Sequence, residues 1–240
     1  MKGVGVVAAL SMEARTLGPA VRRPDGLSAV SGGSLLVLSG IGYAAAAVGA
    51  RSLVDAGACA LLSFGLAGGL DPRLSAGAVV IPSEVISREG KRLPTSRDWR
   101  ENLSAAVRAH CPIANGDLLS SLQAIDTLTA KSAAFRGTGA VAVDMESLAV
   151  AEVAAASNVP FAALRVIVDT AADVLPSSVL TATRGGQVRI GRLIGGLALA
   201  PADLVGLVRL ARRYRTAIRS LAAAARATRL TQFTAAVRAA

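Results

Sequence analysis

Four carboxylates stand where apolar runs of this chain end. Glu13 follows residues 4–10, Asp144 and Glu146 follow residues 141–143, and Asp169 follows Val166, Ile167 and Val168. A carboxylate is costly among buried apolar residues unless it is paired or put to use. In α/β proteins ligands gather at the carboxyl ends of strands, so acids in these places are candidates for acid–base chemistry and for holding hydroxyls. Arg165 stands four residues before the last of them. Spacing also allows a purely structural reading, with Arg165 paired to Asp169 and Glu146 favoured as an acid in the first turn of a helix.

Two glycine-rich segments, 39–42 and 65–69, also follow strand-like runs. Glycine lets the backbone approach a ligand closely, and free N–H groups at a helix start attract hydroxyl or anionic oxygens. Neither segment has the spacing of a dinucleotide fingerprint or a P-loop lysine. Taken alone, each reads equally well as an ordinary turn.

The elements that must position these residues alternate along the chain. Strands are expected at 4–9, 35–38, 60–64, 78–81, 141–145 and 162–168, with 65–69 as a turn and Pro82 as a stop. Helices are expected at 12–21, 43–56, 97–110, 127–135 and 146–157. This alternation predicts a single α/β domain with a mixed, twisted central sheet flanked by helices. The body is expected over residues 1–200, with a basic amphipathic helix and tail over 201–240. There Leu207, Leu210, Tyr214, Ile218, Leu221 and Ala225 form one apolar stripe, and the helix is expected to end near Thr228. Arg212, Arg215, Arg219 and Arg226 lie on another side.

Composition narrows the class. The chain has 240 residues, 52% hydrophobic but only 3% aromatic, so its core must be built from Ala, Val, Leu and Ile. The longest charge-free stretch, 26–50, is broken by Gly and Ser and contains no uniform apolar run of spanning length. No secretory signal is read at the N-terminus, and two cysteines, Cys59 and Cys111, are too few for a disulfide framework, so a reducing cytoplasm is expected. A single histidine, His110, leaves little material for a His-based metal site or a Ser-His-Asp triad. Net charge is +10, and eight arginines against Asp203 alone follow Pro201. Their helix suits packing on the body or a second subunit, or an anionic membrane surface; few aromatics accompany the arginines, so nucleic acid is not expected.

Taken together and in order, the motifs resemble the nucleoside phosphorylase and nucleosidase superfamily over about residues 3–170. They are the strand ending in Glu13, the Ser39–Gly42 segment, Gly65-Leu66-Ala67-Gly68-Gly69-Leu70, Val143-Asp144-Met145-Glu146, and Arg165 with Ile167 and Asp169. Asp144, Asp71-Pro72 and the arginine-rich tail are most similar to the hopanoid-associated phosphorylase group, implicated in removing adenine from adenosylhopane.

The resemblance implies a phosphorylase/hydrolase-like fold and cleavage of an N-glycosidic bond without cofactor or metal. It makes Asp169 the group that hydrogen-bonds or protonates N7 of the departing purine. Glu146 would accept bonds from the ribose hydroxyls, and Met145 would pack on the ribose. Glu13 would orient and deprotonate the attacking water with Arg165 nearby. Gly68 would bring backbone to the sugar, and Leu10 and Ile41 would line the pocket beyond the 5′ carbon. Ser63 stands where the phosphorylases carry an arginine, which favours water over phosphate as nucleophile. Leu66 and Val168 replace serines common in the family, and residues 120–126 lack the aromatic that stacks on purine in many relatives. A homo-oligomer is expected, since relatives often complete each pocket with a neighbouring subunit. Methylthioadenosine or S-adenosylhomocysteine remains open as substrate, as does a non-catalytic binding module on the same fold.

Overall fold

A computed structural model of the chain describes residues 3–30, 33–174 and 203–228, with side chains from 211 onward in the last segment. Leu207 and Leu210 of the expected apolar stripe, and the tail beyond 228, lie outside the residues whose side chains are described.

Twelve strands form one mixed sheet among the described residues. The strands that organise it are β1 (Val4–Ala8), β4 (Ser34–Leu38), β5 (Ala60–Gly69), β11 (Ala142–Asp144) and β12 (Phe161–Asp169). β1 runs parallel to both β4 and β5, and β5 runs parallel to β12. Two antiparallel strands, β2 (Ala20–Arg22) and β3 (Ser28–Val30), extend the β4 edge. At the other end of the path stand β10 (Leu118–Ser120), β7 (Glu84–Ser87) and β8 (Arg92–Pro94). The short β6 (Val79–Val80) pairs with β12 and with β9 (Ile113–Ala114). The sheet is therefore mixed and covered by helices, as the alternation predicts.

Central strands are buried on both faces, and their alternation divides the core. Phe161, Ala163 and Ile167 of β12 join one cluster with α2 (Tyr43–Asp55) and α5 (Ser147–Ala156). Ala162, Leu164 and Val166 face the other cluster, where α3 (Arg97–Arg108) and α6 (Asp203–Thr228) pack. A smaller cluster under Ala130, Ala134 and Phe135 seats α4 (Leu128–Thr138) on Leu70, Leu119 and Val143.

Two expectations are corrected. The segment 65–69 is not a turn but the continuation of β5, which runs unbroken to Gly69. Glycine weakens an isolated strand, yet here β12 pairs along one edge and β11 meets the end of β5 at Gly68 and Gly69, so tertiary pairing overrides propensity. The expected helix at 12–21 stops after one turn: α1 is Ser11–Arg15. Gly18 takes a positive φ of 93° and Pro19 follows, so the chain turns out into β2 instead.

Of the expected stripe on α6, Leu221 and Ala225 are buried and Tyr214 and Ile218 half-buried, and Ala217 and Ala224, outside that stripe, are buried too, so this face packs on the body. Arg212, Arg215, Arg219 and Arg226 remain exposed. Among the described residues no helix is long and apolar enough to cross a membrane.

Candidate active site

The site is built where β5 changes neighbours. Its Gly68 lies opposite Val143 of β11 on one side and Asp169 of β12 on the other. A register shift between Ile167 and Asp169 re-aims the end of β12 and brings Asp169 beside Gly68. A Cβ at Gly68 would lie 3.3 Å from an Asp169 carboxylate oxygen, so glycine lets the backbone and the acid meet.

Glu13 sits in the single turn of α1, only 2% exposed. Its Oε2 accepts from the amides of Ala9 (3.0 Å) and Leu10 (2.8 Å), and its Oε1 accepts from the Leu66 amide at 2.8 Å. The turn after β1 thus folds its own acid back onto β5. A Cβ at Gly65 would come within 2.5 Å of Glu13 Oε1 and 2.9 Å of Arg165 Nη1, which explains a glycine inside that strand. Leu66 serves through its main chain, donating to Glu13 and accepting from Arg165 Nη1 at 3.3 Å.

Arg165 is 1% exposed and tied on every side. Its Nη2 lies 2.8 Å from Asp144 and its Nη1 3.7 Å from Glu146. It also donates to Ser63 Oγ at 2.6 Å and to Ser147 Oγ at 3.2 and 3.3 Å. The structural alternative that paired Arg165 with Asp169 is therefore wrong: the arginine turns to the acids of the β11–α5 junction. Asp144 in turn accepts from the Ser147 amide at 3.1 Å and from its hydroxyl, satisfying the first amide of α5. Glu146 accepts from the Gly42 amide at 2.8 Å, which joins the N-terminus of α2 to this cluster. Gly42 holds a φ of 99°, and this turn presents its N–H to the acid.

Electrostatics follow from burial. Burial pushes the Glu13 carboxyl up, against Arg165 and the three amides that favour its charge. Glu146 is pushed up to about 7, chiefly by burial, with Arg165 opposing and Asp144 adding. Burial works against the charge of Arg165, yet Asp144, Glu146 and Glu13 together hold it above the ordinary guanidinium range. Glu146 can therefore exchange a proton near neutrality, which marks the cluster as a candidate for acid–base chemistry.

Asp169 has a separate partner. Lys131 of α4 is fully buried, and its Nζ lies 2.5 Å from Asp169 Oδ2. Burial pushes the Asp169 carboxyl up, while Lys131 and, last in order, Arg213 pull against it.

Of the residues singled out in the sequence, Glu13, Glu146 and Arg165 come together, and Asp169 and Gly68 meet next to them in the sheet. Leu10 and Ile41 are half-buried in the turns after β1 and β4, and Met145 is half-buried beside Glu146. Sequence reasoning missed Lys131, Ser63 as a partner of Arg165, and the bonding of Asp144 to Ser147 at the start of α5. Lys131 had a signal: the chain holds three lysines against 23 arginines, and this one lies inside an expected helix. Among the described residues no group of three or more His, Cys, Asp or Glu side chains is arranged to hold a metal ion.

Residues 27–194 match the family model of the phosphorylase superfamily, the greater part of the chain. The chain belongs to the phosphorylase superfamily. Solved structures of similar fold include a 5′-methylthioadenosine/S-adenosylhomocysteine nucleosidase from Neisseria meningitidis, in complex with methylthio-immucillin-A. It is 21% identical with a TM-score of 0.71, over 97% of this chain and 99% of that one. The corresponding nucleosidase of Campylobacter jejuni gives 15% identity and a TM-score of 0.72 over the same shares. Futalosine hydrolase of Helicobacter pylori gives 20% and 0.62, over 70% of this chain and 88% of that one. At these identities the likeness establishes the fold. No curated protein sequence matches closely enough to be counted. In this chain the acids lie after β1 and at the ends of β11 and β12, and a serine stands at position 63 beside Arg165.

Proposed function

We propose that the chain cleaves the N-glycosidic bond of an adenine nucleoside by hydrolysis. The observation that carries this reading is the division of the site into a buried acid cluster around Arg165 and a separately held acid, Asp169. Cleavage leaves electron density on the base, and Asp169 relieves it with a proton at N7. The sugar takes on oxocarbenium character, which the surplus of carboxylates over Arg165 favours. Glu146 accepts bonds from the ribose hydroxyls, Glu13 takes the proton of the attacking water, and Met145, with the backbone at Gly68, bounds the sugar.

Water is favoured over phosphate by the state of Arg165. A phosphate dianion needs free cationic donors, and this guanidinium is already engaged by Asp144, Ser63, Ser147 and Leu66. Ser63 adds no charge, and Glu13 repels an anion.

The 5′ substituent is read from the turns after β1 and β4. Leu10 and Ile41 are half-buried there, while Met12 and Leu38 stay 40% and 53% exposed. Open apolar side chains beyond the 5′ carbon suit a bulky hydrocarbon, so adenosylhopane is the proposed substrate, giving adenine and ribosylhopane. Methylthioadenosine or S-adenosylhomocysteine is the second reading, and the fold of the nucleosidases supports it. Adenine release from the lipid nucleoside in detergent, against release from the two thioethers, separates them. Preference for a short thioether overturns the hopanoid assignment.

The exposed arginines of α6 support a peripheral membrane contact. Arg212, Arg215, Arg219 and Arg226 fall within about 60° of one another at ~100° per residue. Since the apolar face is buried in the body, this contact is electrostatic and involves no insertion. It is tested by flotation with phosphatidylglycerol vesicles, and binding that survives high salt or needs no anionic lipid overturns it.

A further inference from the structure

Lys131 touches Asp169 directly, yet the chemistry above does not use it. It is fully buried, and an ammonium in that position is costly unless all its donors are satisfied. They are. Nζ donates to Asp169 Oδ2 at 2.5 Å, to the Thr170 carbonyl at 2.8 Å and to the Asp173 carbonyl at 3.0 Å. With three donors and three acceptors, nothing is left for a substrate. Lysine suits this place better than the arginine that dominates the chain, because three acceptors converge on one compact nitrogen.

The turn that follows Asp169 is braced from the other side as well. The Asp173 carboxylate accepts from the Thr170 amide and hydroxyl, each at 2.8 Å, and pairs with Arg213 of α6. α4 and α6 thus hold residues 169–173 between them. The charges facing Asp169 are Lys131 from α4, Arg213 from α6 and Asp173 in its own turn; its strand neighbour Gly68 carries none.

We propose that Lys131 is a positioning residue for Asp169, orienting its carboxylate and stabilising the negative charge left there when the proton departs to the base. This rests on the hydrolase reading above. In the step itself the Asp169 O–H bond breaks and an N7–H bond forms. The electron pair of the cleaved glycosidic bond stays with the base, and the charge appears on the Asp169 carboxylate. A fixed ammonium at Oδ2 stabilises that charge as it develops without reorganising. Burial lets Asp169 keep a proton; Lys131 makes it willing to give the proton up.

The test uses the full chain as wild type, Lys131→Met and Lys131→Arg, with two readouts. The first is the pH profile of kcat and KM for adenine release. The second is the carboxyl carbon NMR titration of Asp169, assigned with Asp169→Asn, in protein without substrate. Lys131→Met is expected to raise the Asp169 titration by about one unit or more. Its kcat should fall roughly tenfold or more, with its high-pH limb moved upward and KM little changed. Lys131→Arg should restore part of both. If Lys131→Met does not fold, Lys131→Gln reads the same quantity, keeping donors without charge. An Asp169 titration at the same pH in wild type and variant overturns the proposal. The NMR arm needs no turnover: a shifted titration in a protein that releases no base would reject the hydrolase reading while leaving the action of Lys131 on Asp169 standing.

Discussion

The two cations of the site solve the same problem in opposite ways. Arg165 is shared among Glu13, Asp144 and Glu146, whereas Lys131 pairs with Asp169 alone and spends its other donors on main-chain carbonyls. The first arrangement leaves carboxylates in excess, a field that favours a cation in front of it. The second is balanced, which suits a neutral base and an acid that must lose its proton. Guanidinium geometry serves the first, because a fork can bridge several partners at once; a point charge serves the second. Under the proposed reaction, what separates the end assigned to the sugar from the end assigned to the base is the stoichiometry of buried charge.

Breaking the first region should have the largest effect. Arg165→Met leaves buried acids without their common partner, and about 3–5 kcal/mol of stability is expected to disappear. Urea melts near neutral pH measure this, and an unchanged midpoint would mean that the cluster is held by its hydrogen bonds alone. Next comes the base end. Asp169→Asn keeps shape and removes the acid, so base release is expected to fall by ~10²–10⁴-fold while the fold persists. If this variant loses stability and not rate, the acid belongs to the scaffold.

A third prediction sharpens the contrast through pH. Glu146 is carried from an ordinary 4.5 to about 7, so its favourable contribution is full below about 4.5 and is lost as pH rises through about 7. Thermal midpoints of the wild type should therefore fall from about pH 5 to pH 7 and level off above. Glu146→Gln should lessen the decline without abolishing it, because burial raises Glu13 and Asp169 in the same sense. Equal slopes in the two proteins would remove Glu146 from the account. The smallest effect is expected outside both regions. Replacing Arg212, Arg215 and Arg219 by Glu should change stability by no more than about 0.5 kcal/mol each, while lowering binding to anionic vesicles.

Much of the acid cluster was legible in the sequence because strand-end acids leave a local mark. Glu13, Glu146 and Asp169 each follow an apolar run, and the structure puts each near a strand end. What stayed hidden was pairing across distance. Nothing local says that Arg165 reaches back to Asp144 and not forward to Asp169, since that depends on β12 lying in register beside β5. The same holds for Lys131, which comes to Asp169 from a helix 38 positions earlier in the chain. The continuation of β5 through 65–69 was missed for a related reason: its glycines signal a turn locally, and only the flanking strands make them extended. The C-terminal helix was readable by its periodicity, while its centre of burial at Ala217, Leu221 and Ala224 depends on the cluster of Phe64, Trp99 and Leu103 that it joins.

The most direct test of the central claim is adenine release from 5′-substituted adenine nucleosides, lipid-linked and thioether, in phosphate-free buffer, with wild type and Asp169→Asn side by side. The account predicts release without phosphate by the wild type and its near-complete loss in the variant. Release that appears only when phosphate is added would contradict hydrolysis and the reading of Arg165 as fully engaged. No release by the wild type from any of these nucleosides, in either buffer, would contradict the assignment of this site to N-glycosidic cleavage.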